Sequence, residues 1–133
     1  MIRKLVAAVV GLVTGALVTT AATAVEYHCS VTRKFNSEIQ HSSEHLDRYK
    51  PSEKIEDNGE TAALSRCSFA PSEGRVTCDR YEVDKVVFDS NVKIKKYYYF
   101  HGQFDVQLYP SLSFVENNGR GDIAYGECRV VSP

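Results

Sequence analysis

The chain has 133 residues, 43% of them hydrophobic and 25% charged, with 16 basic and 17 acidic side chains. A chain of this length predicts one small domain, and its balanced charge does not favour nucleic acid, whose binding proteins carry a basic excess. The one dense basic stretch contains Lys93, Lys95 and Lys96. Its spacing is typical of the solvated face of a strand, so we expect no nucleic-acid partner.

Residues 1–24 have the charge and hydropathy order of a secretory signal peptide. Arg3 and Lys4 precede an uninterrupted run of apolar and small residues. The segment ends in Ala22-Thr23-Ala24, which has small residues at the positions that signal peptidase requires. About 20 such residues could also span a bilayer as an uncleaved anchor. The small-residue ending favours cleavage, and we expect a mature protein that begins at Val25.

Cleavage would leave residues 25–133 as a single domain. That domain would carry 14 basic and 17 acidic residues, a net charge of −3. A signal peptide of this kind predicts a location in the periplasm or outside the cell. We expect no membrane attachment once the signal peptide is removed.

The four cysteines all lie in the mature part, and an even number in an exported chain predicts disulfides. Cys67 and Cys78 are equidistant from the centre of a turn-rich stretch, so in a hairpin they would face each other within bonding distance. That pairing leaves Cys29 to bond Cys128 and to join the first strand to the last. A zinc site would need closely spaced cysteine pairs, which this chain lacks.

The dominant hydrophobic period of the mature chain is two, which indicates β-strands. One short helix is predicted over residues 43–49, capped by Ser42 or Ser43 and ended by Pro51. About seven or eight short strands predict a mainly β fold. The expected architecture is a small antiparallel barrel or sandwich with one short helix or loop excursion and two disulfides. Strands are predicted near residues 26–35, 61–69, 75–83, 85–88, 92–100, 104–108, 111–116 and 123–131.

No residue pattern indicates catalysis or metal binding. His41 and His45 would share a helix face, but a metal site needs further ligands at a recognisable spacing. His101 and Asp105 would lie on one side of a strand about 13 Å apart, too far for a catalytic dyad. No nucleophile motif surrounds a serine or cysteine. The sequence therefore predicts no enzyme, no cofactor and no metal site.

An aromatic run on one predicted strand provides the first candidate binding residues. Alternation places Tyr97, Tyr99 and His101 on one face and Tyr98 and Phe100 on the other. An exposed tyrosine pair beside lysines would form a flat platform for a partner. The alternative is a sheet that is buried on both faces.

A glycine-rich turn provides the second set of candidate binding residues, because the stretch around it is dense in hydrogen-bond donors and acceptors and binding residues often lie on loops. Its Arg-Gly-Asp tripeptide could be read by cell-adhesion receptors, although a turn with positive φ favours the same residue types. We take the polar side chains of this turn as candidates: Asn117, Asn118, Arg120 and Asp122.

In outline the chain resembles the small periplasmic inhibitors of lysozyme. The shared features are size, a signal peptide, cysteines near both ends, and the terminal strand Tyr125-Gly126-Glu127-Cys128. The loop signature of that family is missing and the chain has no tryptophan, so no site residue is carried over. The resemblance implies an exported, disulfide-bonded antiparallel barrel that acts through its loops.

Together these features predict an exported, non-enzymatic binding protein, an inhibitor or immunity-like partner of another protein. The alternative is a small-ligand carrier, because an eight-stranded barrel can enclose one small ligand. The two hypotheses differ in whether side chains fill the interior or a cavity remains.

Overall fold

The computed structural model describes residues 7–17 and 24–132. The first of these segments has no regular secondary structure, and its apolar side chains are exposed. The rest of the predicted signal peptide, residues 1–6 and 18–23, lies outside the described residues. No helix in the described part of the chain is long and apolar enough to cross a membrane.

Residues 24–132 form nine strands and one helix, so the expected mainly β fold is confirmed. Alternating side chains and turn residues at φ above zero, such as Gly59 and Gly74, explain where most strands start and stop. The elements are β1 Val25–Phe35, α1 Ser43–Tyr49, β2 Ser52–Asp57, β3 Ala62–Ala70, β4 Arg75–Glu82, β5 Lys85–Asp89, β6 Ile94–Tyr99, β7 Phe104–Leu108, β8 Ser113–Asn117 and β9 Ile123–Ser132.

All nine strands belong to one antiparallel sheet, ordered β4-β3-β2-β1-β9-β8-β7-β6-β5, which curls into a half-barrel. The strands β4 and β5 lie at opposite edges, yet only two residues separate them. The amide of Val83 donates to the carbonyl of Ala62 in β3, and the amide of Asp84 donates to the carbonyl of Tyr98 in β6. The chain therefore passes from one edge of the sheet to the other at this point.

The expected pairing of the first and last strands is also confirmed. Cys29 lies opposite Cys128 in the β1–β9 ladder, and Cys67 lies opposite Cys78 in the β3–β4 hairpin. Both pairs form disulfides. The Cys29–Cys128 disulfide joins residues that are 99 positions apart, and closing a loop of that size stabilises the folded state by about 5 kcal/mol in the simplest chain-entropy model.

A β-bulge at Thr32 changes the phase of β1. Val31 lies opposite Gly126, but Arg33 lies opposite Tyr125, so one residue of β1 is unpaired. Strict alternation along residues 26–35 predicts Phe35 on the same face as Tyr27 and Cys29, and the bulge makes this prediction wrong. Beyond the bulge Phe35 stacks on Tyr125 with ring centroids 5.8 Å apart. Lys34 is turned toward the concave face instead.

The predicted helix is present and begins where expected. The side chain of Ser42 accepts a hydrogen bond from the amide of His45, and Lys50 ends the helix in the left-handed conformation. The rings of His41, His45 and Tyr49 stack along one side, with successive centroids 4.6 Å apart. The helix packs against β1 and β3.

Candidate binding cleft

One end of the concave face opens into a cleft of about 480 Å³. Its walls come from β3 and β4 on one side and from two turns, residues 100–103 and 117–122, on the other. We call it the rim cleft. It lies where β6 ends at Tyr99, near the edge strand β4, which pairs only with β3. Its lining includes Arg66, Asp79, Tyr81, Tyr99, His101 and Arg120.

The two turns that form one wall are packed tightly together. Gly119 has φ +74, and a Cβ atom at this position would lie 2.3 Å from the carbonyl oxygen of Gln103. Only glycine fits both the conformation and the space. This contact fixes the distance between the turn that carries His101 and the turn that carries Arg120.

Most polar side chains of the second turn hold the turn itself. The carboxamide oxygen of Asn118 accepts hydrogen bonds from the amides of Arg120 and Asp122. The carboxylate of Asp122 accepts from the side-chain amides of Asn36 and Asn118. The Arg-Gly-Asp carboxylate is therefore engaged within the protein, while Arg120 and Asn118 line the rim cleft. Asn117 accepts a hydrogen bond from the amide of Gly119 and lies outside the lining.

The floor of the rim cleft is the guanidinium group of Arg66. Its Nη2 atom lies 2.8 Å from a carboxylate oxygen of Glu116, and its Nε atom lies 3.8 Å from Glu53. Its Cζ atom lies 5.2 Å from the ring centroid of Phe104, at cation–π distance. Arg66 is thus held by two carboxylates and an aromatic ring, while a third of its side chain remains exposed.

Glu53 is the most unusual group in this cluster. Its side chain is 1% exposed, and neither carboxylate oxygen has a hydrogen-bond partner among the described residues. A buried charge without hydrogen bonds is costly unless an opposite charge lies close by. Arg66 supplies that charge, although at 3.8 Å the contact is an ion pair rather than a hydrogen bond.

Glu116 is the second buried carboxyl group. Burial raises its pKa to about 7, Lys34 opposes the rise, and Asp122 adds to it. Arg66 also favours the charged form of Glu116, but its single charge faces Glu53 as well, so we take burial as the dominant effect. Glu116 is therefore half protonated near neutral pH.

This pKa predicts a pH dependence of stability. The free energy of unfolding should fall as the pH rises from about 4.5 to about 7, because the folded protein retains a proton on Glu116 that the unfolded chain has lost. In Glu116→Gln this fall should shrink by up to about 3 kcal/mol. Urea unfolding at several pH values measures it, with the exposed Glu127→Gln as the control. Identical pH profiles for Glu116→Gln and wild type would contradict the expectation.

Aromatic rings form the side of the rim cleft above Arg66. The rings of Tyr81, Tyr99 and Phe104 pack against one another with centroids 5.0 to 5.1 Å apart. His101 packs edge-on against Tyr99 at 6.2 Å. The cleft therefore combines a rigid aromatic wall with charged side chains, a mixture typical of recognition sites.

The structure brings four of the predicted binding residues together at this cleft: Tyr99, His101, Asn118 and Arg120. Tyr97 is not among them, and its expected exposure is wrong. Its side chain is 0% exposed, and its hydroxyl donates a 2.6 Å hydrogen bond to the carboxylate of Asp57. Lys95, expected in solvent, points the same way and lies 2.5 Å from Asp57. The alternation along β6 is right, but its inner and outer faces are reversed.

Sequence reasoning missed the floor of the cleft. Arg66 lies directly opposite Glu53 in the β2–β3 ladder, whereas Glu116 belongs to β8, which approaches them only through the curvature of the sheet. The one available signal was the alternation of Glu53, Ile55 and Asp57, which are all buried in β2. In the described part of the chain, no group of three or more histidine, cysteine or acidic side chains is arranged to hold a metal ion.

Comparison with known proteins adds no relative to these observations: no protein-family model, no curated protein and no solved structure matches the chain.

Proposed function

We propose that this chain is an exported, non-enzymatic protein that binds another protein, as an inhibitor or immunity-like partner does. The observation that carries the proposal is the clustering of Tyr99, His101 and Arg120 around one open cleft. Rigid aromatic rings and arginine side chains are the residue types that dominate binding energy at protein interfaces. Two disulfides hold the scaffold that presents them, which lowers the entropic cost of binding.

The interior of the half-barrel favours this function over the alternative of a small-ligand carrier. A carrier needs an enclosed space of a few hundred Å³ within the sheet. Here the space between the strands is occupied by large side chains that solvent does not reach, among them Tyr97, Phe114, Ile55 and Leu64.

Export is part of the same proposal. Two disulfides fit a location outside the cytoplasm, and β1 begins at Val25, directly after the predicted cleavage site. We expect exported protein to have the mass of residues 25–133 with all four cysteines oxidised. Intact-mass measurement with and without alkylation checks both points. A mass of the full 133 residues, or a cysteine that reacts without reductant, would argue against export with cleavage.

The proposed interface predicts a large effect of Tyr99→Ala on partner binding. A tyrosine at an interface hot spot contributes about 2 kcal/mol or more, which corresponds to a loss of about thirtyfold in affinity. The measurement is quantitative capture from periplasmic extract and culture medium with the oxidised protein, followed by identification of what co-purifies. The affinity of the identified partner for Tyr99→Ala is then compared with that for wild type.

Tyr98→Ala serves as the matched control, because Tyr98 lies on the same strand but faces outward and stacks on Phe100. It should bind the partner as wild type does. A partner that binds Tyr99→Ala normally but loses Tyr98→Ala would move the interface to the convex face and overturn the proposal.

A further inference from the structure

We propose that the rim cleft binds a carboxylate group of the partner protein, the side chain of an aspartate or glutamate, between Arg66 and Arg120. This inference rests on the proposed protein-binding function and specifies its chemistry. It starts from the way in which charges are distributed by depth in the cleft.

The acidic groups lie at the bottom and the basic groups lie nearer to solvent. Glu53 and Glu116 are almost fully buried, whereas Arg66 is one-third exposed and Arg120 and His101 are exposed. The exposed acidic residue of the lining is Asp79. It lies opposite Arg66 in the β3–β4 ladder but forms no ion pair with it. A ligand entering the cleft therefore meets mainly positive charge, although the chain as a whole is slightly acidic.

Arg66 is oriented by the groups beneath it. Contacts to Glu53 and Glu116 use its Nε and Nη2 atoms, and the ring of Phe104 supports the plane of the guanidinium. A guanidinium has five N–H donors, so donors remain for a ligand on the exposed side. An arginine that is fixed in this way loses little side-chain entropy when it binds, and its planar fork matches a carboxylate.

Arg120 supplies the second positive charge. It lines the same cleft and forms no ion pair within the described part of the chain. Its own backbone amide is bonded to Asn118, so the turn does not depend on its side chain. Arg120 is therefore free to form a charge-assisted hydrogen bond, and Tyr81 and Tyr99 form the wall against which the carbon atoms of an acidic side chain could pack.

Glu116 acts as an internal competitor in this scheme. Its carboxylate already lies 2.8 Å from Nη2 of Arg66, and above neutral pH its negative charge opposes an incoming anion. Removing that charge should strengthen the binding of a carboxylate. This expectation gives a variant that gains binding, which a protein that merely misfolds cannot do.

The test uses ¹⁵N-labelled protein with both disulfides formed, titrated at pH 8 with the capped peptide acetyl-Gly-Glu-Gly-amide. The neutral peptide with glutamine in place of glutamate is the matched probe. We expect saturable shifts at the amides of Gly102 and Arg120 with the acidic peptide alone. Arg120→Gln should weaken this binding about tenfold, the effect of one charge-assisted hydrogen bond. Arg75→Gln, at an exposed arginine paired with Glu73, should not change it. Glu116→Gln should bind several-fold more tightly.

Several outcomes would overturn the inference. Equal shifts with both peptides, or no saturable shift, would show that the cleft does not select a carboxylate. Inorganic phosphate that binds more tightly than the peptide would make it a phosphate site. If capture of the partner still depends on Tyr99 while the acidic peptide fails to bind, the inference is wrong and the proposed function stands. If the acidic peptide binds but no partner is captured, the carboxylate site is supported and the proposed protein-binding function is wrong.

Discussion

Replacing Arg66 with methionine should destabilise the protein by about 3–5 kcal/mol, a large share of the stability of a small domain. Methionine preserves the unbranched apolar stem but removes the positive charge that faces Glu53 and Glu116. Because Glu53 has no hydrogen bond, it would become a buried charge without any compensation. Urea unfolding at pH 8 without reductant measures the loss, and the loss should diminish at low pH as carboxylates become protonated.

Arg75→Met is the control for this prediction. Arg75 pairs with Glu73 at the β3–β4 turn, and their side chains are 70% and 50% exposed. Surface ion pairs of this kind contribute at most about 1 kcal/mol to stability. A further variant, Arg66→Met with Glu53→Gln, should regain part of the lost stability because it removes the orphaned charge. If Arg66→Met unfolds at the same urea concentration as Arg75→Met, the two buried carboxylates do not depend on Arg66.

The frame of the fold was predictable because it depends on local patterns. Turn residues around Pro71 set the register of the β3–β4 hairpin, and that register places Cys67 opposite Cys78. The remaining two cysteines then had one possible pairing, which joins β1 to β9 at the centre of the strand order. Ser42 at the start of the helix and the break before Pro51 are equally local signals.

The strand β2 was missed because its buried face is acidic. Glu53 and Asp57 alternate with partly exposed residues, and only Ile55 among its inward side chains is apolar. Hydrophobic periodicity therefore gave no signal for a strand. The same feature reversed the faces of β6, where Lys95 and Tyr97 point inward because the carboxylate of Asp57 is there to receive them. A polar interior that is satisfied between distant strands cannot be read from either strand alone.

Some residues of the candidate site could also be predicted from local sequence features, and others could not. Tyr99, His101 and Arg120 stand out in the sequence because aromatic runs and glycine-rich turns are local features. Their common location depends on the contact between Gly119 and Gln103, which only the folded chain reveals. Arg66 faces Glu53 across the β2–β3 hairpin, which was not predicted because β2 was missed, and Glu116 comes from β8, which is distant in sequence.

The buried position of Tyr97 makes its substitution a test of stability rather than of binding. Tyr97→Ala should cost about 3–5 kcal/mol, because it removes a large aromatic ring from the centre of the core. Tyr97→Phe should cost about 1–3 kcal/mol, because it keeps the ring but removes the hydrogen bond to the buried carboxylate of Asp57. Burial raises the pKa of Tyr97, so its hydroxyl stays a donor throughout the pH range of folding.

Comparing Tyr99→Ala with the Tyr97 variants distinguishes the role of Tyr99 in binding from the role of Tyr97 in stability. Tyr99 lies at the mouth of the core, where its ring contacts Tyr81 and Phe104 and also lines the rim cleft. We expect it to lose less stability than Tyr97→Ala and far more partner affinity, while Tyr97→Phe binds normally wherever it is folded. Chemical unfolding and binding to the captured partner, measured on the same samples, give both quantities. Loss of binding in folded Tyr97→Phe would mean that partner binding depends on the buried hydrogen bond from Tyr97 to Asp57, a carboxylate that also pairs with Lys95.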